Sequence, residues 1–459
     1  MKNKLIILIN SILILFSVVS CLKTPNEKDG KEIIIPDENF DTNTQDINVP
    51  YEVSITFSNG QTIVNNPFEG QGISVHVDKQ NVTVISNTLD IEANYVLSGN
   101  TSNGFVKIYS DLRFGLLLNG VSILNPTGAA INIQSGKRVS VTLVDYTNNR
   151  LVDGGTFQMT DEERMDGTFH SQGQLIVNGT GSLLIYANDG HAIGVRDYMQ
   201  INNGNITVNN ATSDGIHCRD YIEMNGGKVV INAKSDGIES TNQYIIVKGG
   251  TLKIKSGNRG LKSAGNLTIA GGKIEIESLD DGIYAVNNVV INGGEIYNNS
   301  DKNAIVSTEG AIALTGGLLV TSGKKNVFDC VKTFSITGGT AIGTGVATVI
   351  PDASASRQRT VVWGASKFTA GQLIYIKSSN NAEVLTFKFP RAYSGNMTLV
   401  YTSPLLQANT NYTIYKDGAV SGGSEFHGLY SEAVSNGGTV AVTFTTSTVV
   451  TSVGKVSGL

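Results

Sequence analysis

Asp236-Gly237-Ile238 and Asp281-Gly282-Ile283, with Asp214-Gly215-Ile216 before them, are copies of one turn whose spacing decides the fold. Degenerate copies stand at Arg259-Gly260-Leu261 and Asn303-Ala304-Ile305. From Gly215 the landmark advances to Gly237, Gly260, Gly282, Ala304 and Val327, in steps of 22 or 23 residues. A double glycine keeps the same pace, beginning at Gly226, Gly249, Gly271, Gly293, Gly316 and Gly338. Alternating apolar pairs flank it, such as Leu267-x-Ile269 before Gly271-Gly272 and Ile274-x-Ile276 after. A spacing of two puts apolar side chains on one face of a strand. Each repeat therefore holds three short strands, broken at Gly, Asn and Asp corners that tolerate positive φ. Strands this short bury their apolar face only by stacking on the next repeat, which predicts a solenoid of the parallel β-helix kind. A leucine-rich repeat would need an asparagine-leucine consensus that is absent, and a propeller blade needs about twice this period.

The register follows column by column. After each turn glycine stand Ile193, Ile216, Ile238, Leu261, Ile283, Ile305 and Phe328, an expected inward ladder. Two places further on are Val195, Cys218, Ser240, Ser263, Ala285, Ser307 and Cys330, all small. Cys218 and Cys330 share that column five coils apart, about 24 Å at one strand spacing per coil. A disulfide needs Cα atoms within roughly 7 Å, so these are expected to be buried free thiols.

The 459-residue chain is rich in glycine (52 residues) and carries a formal charge of −5. With no runs of Lys or Arg, no nucleic-acid partner is expected. No His/Cys group has zinc spacing. Residues 1–21 read as a secretory signal: Lys2 and Lys4, then an apolar run from Leu5 to Val19, too short for a comfortable membrane span. Val18-Val19-Ser20-Cys21 resembles the lipobox of bacterial lipoproteins, which implies lipidation of Cys21 and a membrane contact through the lipid alone. Residues 22–50 read as a polar tether. Residues 51–165 are expected to form an N-terminal cap and first irregular coils, with a polar excursion over 148–163. Residues 166–345 are the regular repeats and 346–459 a C-terminal β segment, since a bare solenoid end exposes unpaired strand edges. Within that segment 404–423 fits a strand pair.

Tyr95-Val-Leu-Ser-Gly99, Leu118-Asn-Gly-Val-Ser-Ile123 and Gly128-Ala-Ala-Ile131, followed by the repeated Asp-Gly-Ile and Asn-Gly-Gly, resemble a known family. It is the exported carbohydrate-binding β-helix domain first described from cellulose-degrading clostridia, and the similarity covers roughly residues 53–418. The resemblance implies an all-β, right-handed parallel β-helix like that of polysaccharide lyase family 9, bound Ca2+, and binding of polygalacturonate or cellulose-type glycans. With the lipobox it implies a protein of the bacterial cell envelope, at the outer membrane or cell surface. The family's turn often carries a carboxylate in coil after coil, whereas this column reads His191, Asp214, Asp236, Arg259, Asp281, Asn303, Asn326.

Equivalent residues of successive coils lie ~4.8 Å apart, so outward residues form vertical columns. Beside the column just given runs a second: His217, Glu239, Lys262, Tyr284, Val306, Asp329. Asp214, Asp236, Glu239, Asp280 and Asp281 are therefore expected on one face, with Arg259 and Lys262 set among them. Hard oxygens at this density suit Ca2+, and His217, Arg259, Lys262 and Tyr284 are candidate glycan contacts by charge and stacking. The plainer alternative is that each Asp merely makes its turn. A rival class is a pectate-lyase-like enzyme, for which Lys262 is the candidate base. Its acidic neighbourhood is expected to raise the lysine pKa, against that role. The weak Asp280-Asp281 pair is all that speaks for a paired-carboxylate hydrolase. A structural surface adhesin is a third class.

Overall fold

The computed structural model describes residues 51–157, 163 and 165–458. The signal segment with Cys21 and the tether lie outside the described residues. Among the described residues every regular element is a β-strand.

Each coil contributes one strand to each of three faces. The turn face is a twelve-stranded ladder, parallel throughout except for its first member, Ile73–Asp78, which forms an antiparallel hairpin with Asn81–Ser86. Ile216–Cys218, Ile238–Ser240, Leu261–Ser263 and Ile283–Ala285 lie in its middle. The second face carries Ile222–Met224, Ile245–Val247 and Leu267–Ile269. The third carries Lys228–Ala233, Thr251–Ser256, Lys273–Ser278 and Glu295–Ser300. These two faces belong to one 25-stranded sheet. They join where Phe114–Asn125 rounds a corner, pairing with Val139–Leu143 along its first half and Asn148–Asp153 along its second. The expected excursion over 148–163 thus begins too early. Leu151 and Val152 are buried, so Asn148–Asp153 is a coil strand.

The inward ladder is as the columns require. Ile216 pairs with Ile238, Ile238 with Leu261, Leu261 with Ile283 and Ile283 with Ile305, all fully buried. Removing one such side chain from water stabilises by roughly 1.5–3 kcal/mol. Cys218 and Cys330 are buried free thiols. The glycines divide their work in a way the spacing did not reveal. The second of each pair sits at positive φ, as at Gly250 (+83°), a conformation costly for any side chain. Gly237 of the Asp-Gly-Ile turn does not. A Cβ there would lie 2.4 Å from Ile254 Cγ2 and 2.6 Å from the Gly260 carbonyl. Close stacking demands that glycine, not backbone strain.

Antiparallel strands close both ends of the solenoid. Gln61–Asn65 folds back on Glu52–Ser58 at the start. At the other end Met397–Thr402 pairs antiparallel with Thr340–Gly345 and is flanked by Thr360–Ala365. A six-stranded sheet follows, and its core joins Val320 and Ile342 of the solenoid's third face to Trp363, Ile374, Phe387 and Tyr401. Arg391 reaches across to Asn299, the Ser300 carbonyl and Asp301. The strands at Asn411–Lys416 and Ala419–Ser421 do not pair with each other, as 404–423 suggested. The first lies between Leu373–Ser378 and Thr439–Thr445, and the second pairs with Val434–Asn436.

Candidate functional site

The turn face carries the outward columns in register: His217 beside Glu239, then Lys262, then Tyr284. The column next to it has a structural duty that the sequence reading weighed only as turn-making. Asp214 Oδ1 accepts the Asp236 amide at 2.9 Å, and Asp236 Oδ1 accepts the Arg259 amide at 2.8 Å. Asp281 Oδ1 accepts the Asn303 amide at 3.2 Å, and Asn303 Oδ1 the Asn326 amide at 3.3 Å. Each of these side chains holds up the backbone of the following coil.

The second oxygen of each Asp faces a nitrogen-bearing side chain. Asp214 Oδ2 lies 3.1 Å from His191 Nδ1 and 3.2 Å from His217 Nδ1. Asp236 Oδ2 lies 3.1 Å from the Lys262 ammonium, which is also 2.5 Å from Glu239 Oε1. His217 Nδ1 is 3.4 Å from Glu239 Oε2. Single ligand atoms of Asp214, Asp236 and Glu239 fall within 4.8 Å of one another, as do those of His191, Asp214 and His217. Asp280 and Asp281 do not join this group. Arg259 Nε is 3.5 Å from Asp281 Oδ2, and Lys302 is 2.9 Å from Asp280 and 3.7 Å from Asp281. The expected single stripe is therefore two charge clusters, because cations from successive coils intervene. The Arg259 guanidinium also lies over the Tyr284 ring at 4.0 Å, which closes one face of that ring to a sugar.

The electrostatics follow from this pairing. Burial works against the His217 cation, but its hydrogen bonds to Asp214 and Glu239 outweigh that and raise its pKa to about 9. Burial likewise works to raise Asp214 and Glu239, and their histidine and lysine partners hold both below the usual carboxylate range. For Asp236 burial prevails and the pKa is raised, even with Lys262 alongside. Burial works to lower the Lys262 pKa, yet Glu239 and Asp236 leave it raised. Hard carboxylate oxygens converge here, and the ammonium of Lys262 sits between two of them, so the donor set suits a cation.

The columns also hide a third cluster that the sequence reading missed. Asp166 bonds His170 Nδ1 at 2.9 Å and Arg196 at 2.8 Å. Gly194 makes room for it, since a Cβ there would lie 2.3 Å from Asp166 Oδ1. Lys302 was missed as well, although it follows Asp280 in the same column, one residue before Asn303 and Asp281 respectively.

A family model described as carbohydrate-binding domain-containing protein matches residues 78–276 and 245–382, together well over half of the chain. No curated protein matches. A solved structure, the polysaccharide lyase-like protein from C. thermocellum in its gadolinium derivative, is similar at 21% identity and a TM-score of 0.39. The alignment covers 63% of this chain and 99% of that one. With the family model spanning coils from both ends of the solenoid, the chain belongs to the family of carbohydrate-binding domain-containing proteins.

Proposed function

We propose that this protein is a non-catalytic glycan-binding lipoprotein of the bacterial cell envelope, anchored through Cys21. Its turn face takes acidic or plant-type polysaccharides, such as polygalacturonate or cellulose-like glycans. Asp214, Asp236 and Glu239 hold Ca2+ there, and His217, Arg259, Lys262 and Tyr284 contact sugar. The family match carries the glycan reading. The convergence of three carboxylates within 4.8 Å supports the ion, which would supply positive charge toward uronate carboxylates. Lys262 now occupies the place those oxygens favour for a cation, so Ca2+ binds by displacing its ammonium. Asp280 and Asp281, neutralised by Arg259 and Lys302, are secondary to the trio.

The second reading is a pectate-lyase-like enzyme, favoured by a lysine set among carboxylates. A general base works best with a pKa near the operating pH, and Lys262 is held the other way. The test is retention on insoluble polysaccharides with Ca2+ and with chelator, together with ultraviolet absorbance of unsaturated products from polygalacturonate. Retention that falls with chelator, without new absorbance, is expected. Lys262→Met should raise Ca2+ affinity. Retention and thermal midpoint both indifferent to chelator would remove the ion from the reading, and product absorbance would replace the binder by the lyase.

A further inference from the structure

Beside the turn face, where the chain turns out of the third face, lies a trough of about 670 Å³. It follows from the register of four coils. One rail is the outward column Asn232, Lys255, Glu277 and Asn299. The floor is the next column, where Ala233, Ser256 and Ser278 are small and buried. The opposite rail follows one residue later as Lys234, Gly257, Leu279 and Asp301. Gly257 has no side chain to fill the gap between Lys234 and Leu279, and a Cβ there would lie 2.2 Å from the Lys234 carbonyl. Arg391 of the C-terminal segment grips Asn299 and Asp301 at one end.

Two observations set this trough apart from its surroundings. On the strands beside it Lys253 pairs with Glu275 at 2.7 Å and Lys273 with Glu295 at 3.2 Å, while Lys228, at the far end of its strand from the trough, enters no ion pair among the described residues. Lys234 and Lys255, from adjacent coils and opposite rails, are exposed and enter no ion pair among the described residues, and neither does Glu277. Leu279 is 67% exposed, the one large apolar side chain so exposed between Tyr146 and Val331 among the described residues. The trough is concave and joins one apolar contact to unengaged polar groups that can fix a ligand's orientation.

We propose that this trough binds a polysaccharide chain lying along the solenoid axis, and that it selects an acidic glycan through Lys234 and Lys255. The ligand is a polyuronate: a carboxylate on one sugar is held between the two ammonium groups, Leu279 meets the apolar face of a ring, and Asn232 and Glu277 bond hydroxyls. The trough runs over four coils at a spacing of ~4.8 Å, so an extended chain laid along the axis spans it while its carboxylate meets the two lysines at one place. This rests on the carbohydrate-binding reading but not on the calcium cluster.

The test is titration calorimetry of the whole mature protein with soluble oligogalacturonate, in Ca2+ and again in chelator, at low and high salt. The variant is Lys234→Ala/Lys255→Ala, and the control Lys137→Ala/Lys332→Ala removes two exposed lysines elsewhere. The trough predicts an affinity loss of about tenfold or more for the first pair, in both buffers and shrinking at high salt. The control pair should bind as the parent does. Equal binding by the trough variant overturns the trough and leaves the turn-face reading standing. Equal loss in both pairs reduces the effect to net charge and also overturns it. A parent protein that retains no glycan at all removes both readings.

Discussion

Asp236 offers a way to separate what a carboxylate does for the fold from what it does for the site. Its Oδ1 accepts the Arg259 amide at 2.8 Å while Oδ2 faces Lys262 at 3.1 Å, and the residue is 1% exposed. Asp236→Ala removes both contacts. Stranding the amide of the next coil costs ~1–3 kcal/mol. Lys262 keeps Glu239 at 2.5 Å and is not orphaned. Asp236→Asn retains the acceptor, and Asn303 already plays that part in the same column. The Asn variant gives up attraction to Lys262 but also the burial of a charge, opposing effects of similar size. Its net change is expected within ~1 kcal/mol. Guanidinium unfolding followed by far-ultraviolet circular dichroism would read both variants, with slopes checked because a solenoid need not unfold in one step. The Ala midpoint should fall clearly and the Asn midpoint hardly at all. Equal falls would mean that charge, not the stacked acceptor, is what the column requires.

Ile283→Asp places a carboxylate at a fully buried rung and should cost several kcal/mol, read as a lowered thermal midpoint. An unchanged midpoint would sink the register. Burial works to raise the Asp166 pKa, but His170, Arg196 and His191 bring it down to about 2. A carboxyl held below its ordinary 3.8 adds stability present above that value and lost as pH falls from about 4 to about 2, at most about 2 kcal/mol. Arg196→Gln should shrink that acid-induced loss in a pH series of unfolding free energies; an unaltered acid limb would refute the assignment. Arg391→Met removes its bonds to Asn299 and the Ser300 carbonyl and should weaken the C-terminal segment by ~1–3 kcal/mol. Trp363, the only tryptophan, lies in that segment's core and reports it by fluorescence; coincident fluorescence and dichroism midpoints unchanged from the parent would count against it.

The ladder was legible because the rule that builds it is local. Apolar spacing of two, a glycine landmark and a constant period leave one way to bury Ile216, Ile238, Leu261 and Ile283, and the pairings follow it. The outward columns were legible for the same reason, since register fixes which residues are neighbours. What columns cannot give is the side-chain direction within a face. Asp281 and Asp236 share a column, yet Arg259 lies between them and Lys302 arrives from the coil beyond. The calcium set of five was therefore read as one group where rotamers make two. The pairing of the C-terminal strands was illegible because no period constrains it. Asn411–Lys416 joins strands from both sides of it in sequence, and the aromatic core that decides this comes from residues scattered from Val320 to Val453.

The acceptor column also says which residue departs from the rule. Its members need an oxygen or an unprotonated nitrogen aimed at the next amide, and Asp214, Asp236, Asp281 and Asn303 supply one. His191 brings Nδ1 within 3.2 Å of the Asp214 amide at the same point of its own coil. Arg259 alone has five donors and no acceptor, so it cannot support the coil above it. A residue that breaks the local pattern without a gain in packing is where function is expected to override stability. Arg259 directs its charge outward over Tyr284 and beside Asp281 instead. The Tyr284 contact is half-buried, and Asp281 is buried, so beside it the guanidinium offsets a charge that burial would otherwise leave costly. Arg259 thus gives up the acceptor of its column but gains a buried charge partner in Asp281, so its break with the pattern is compensated within the fold.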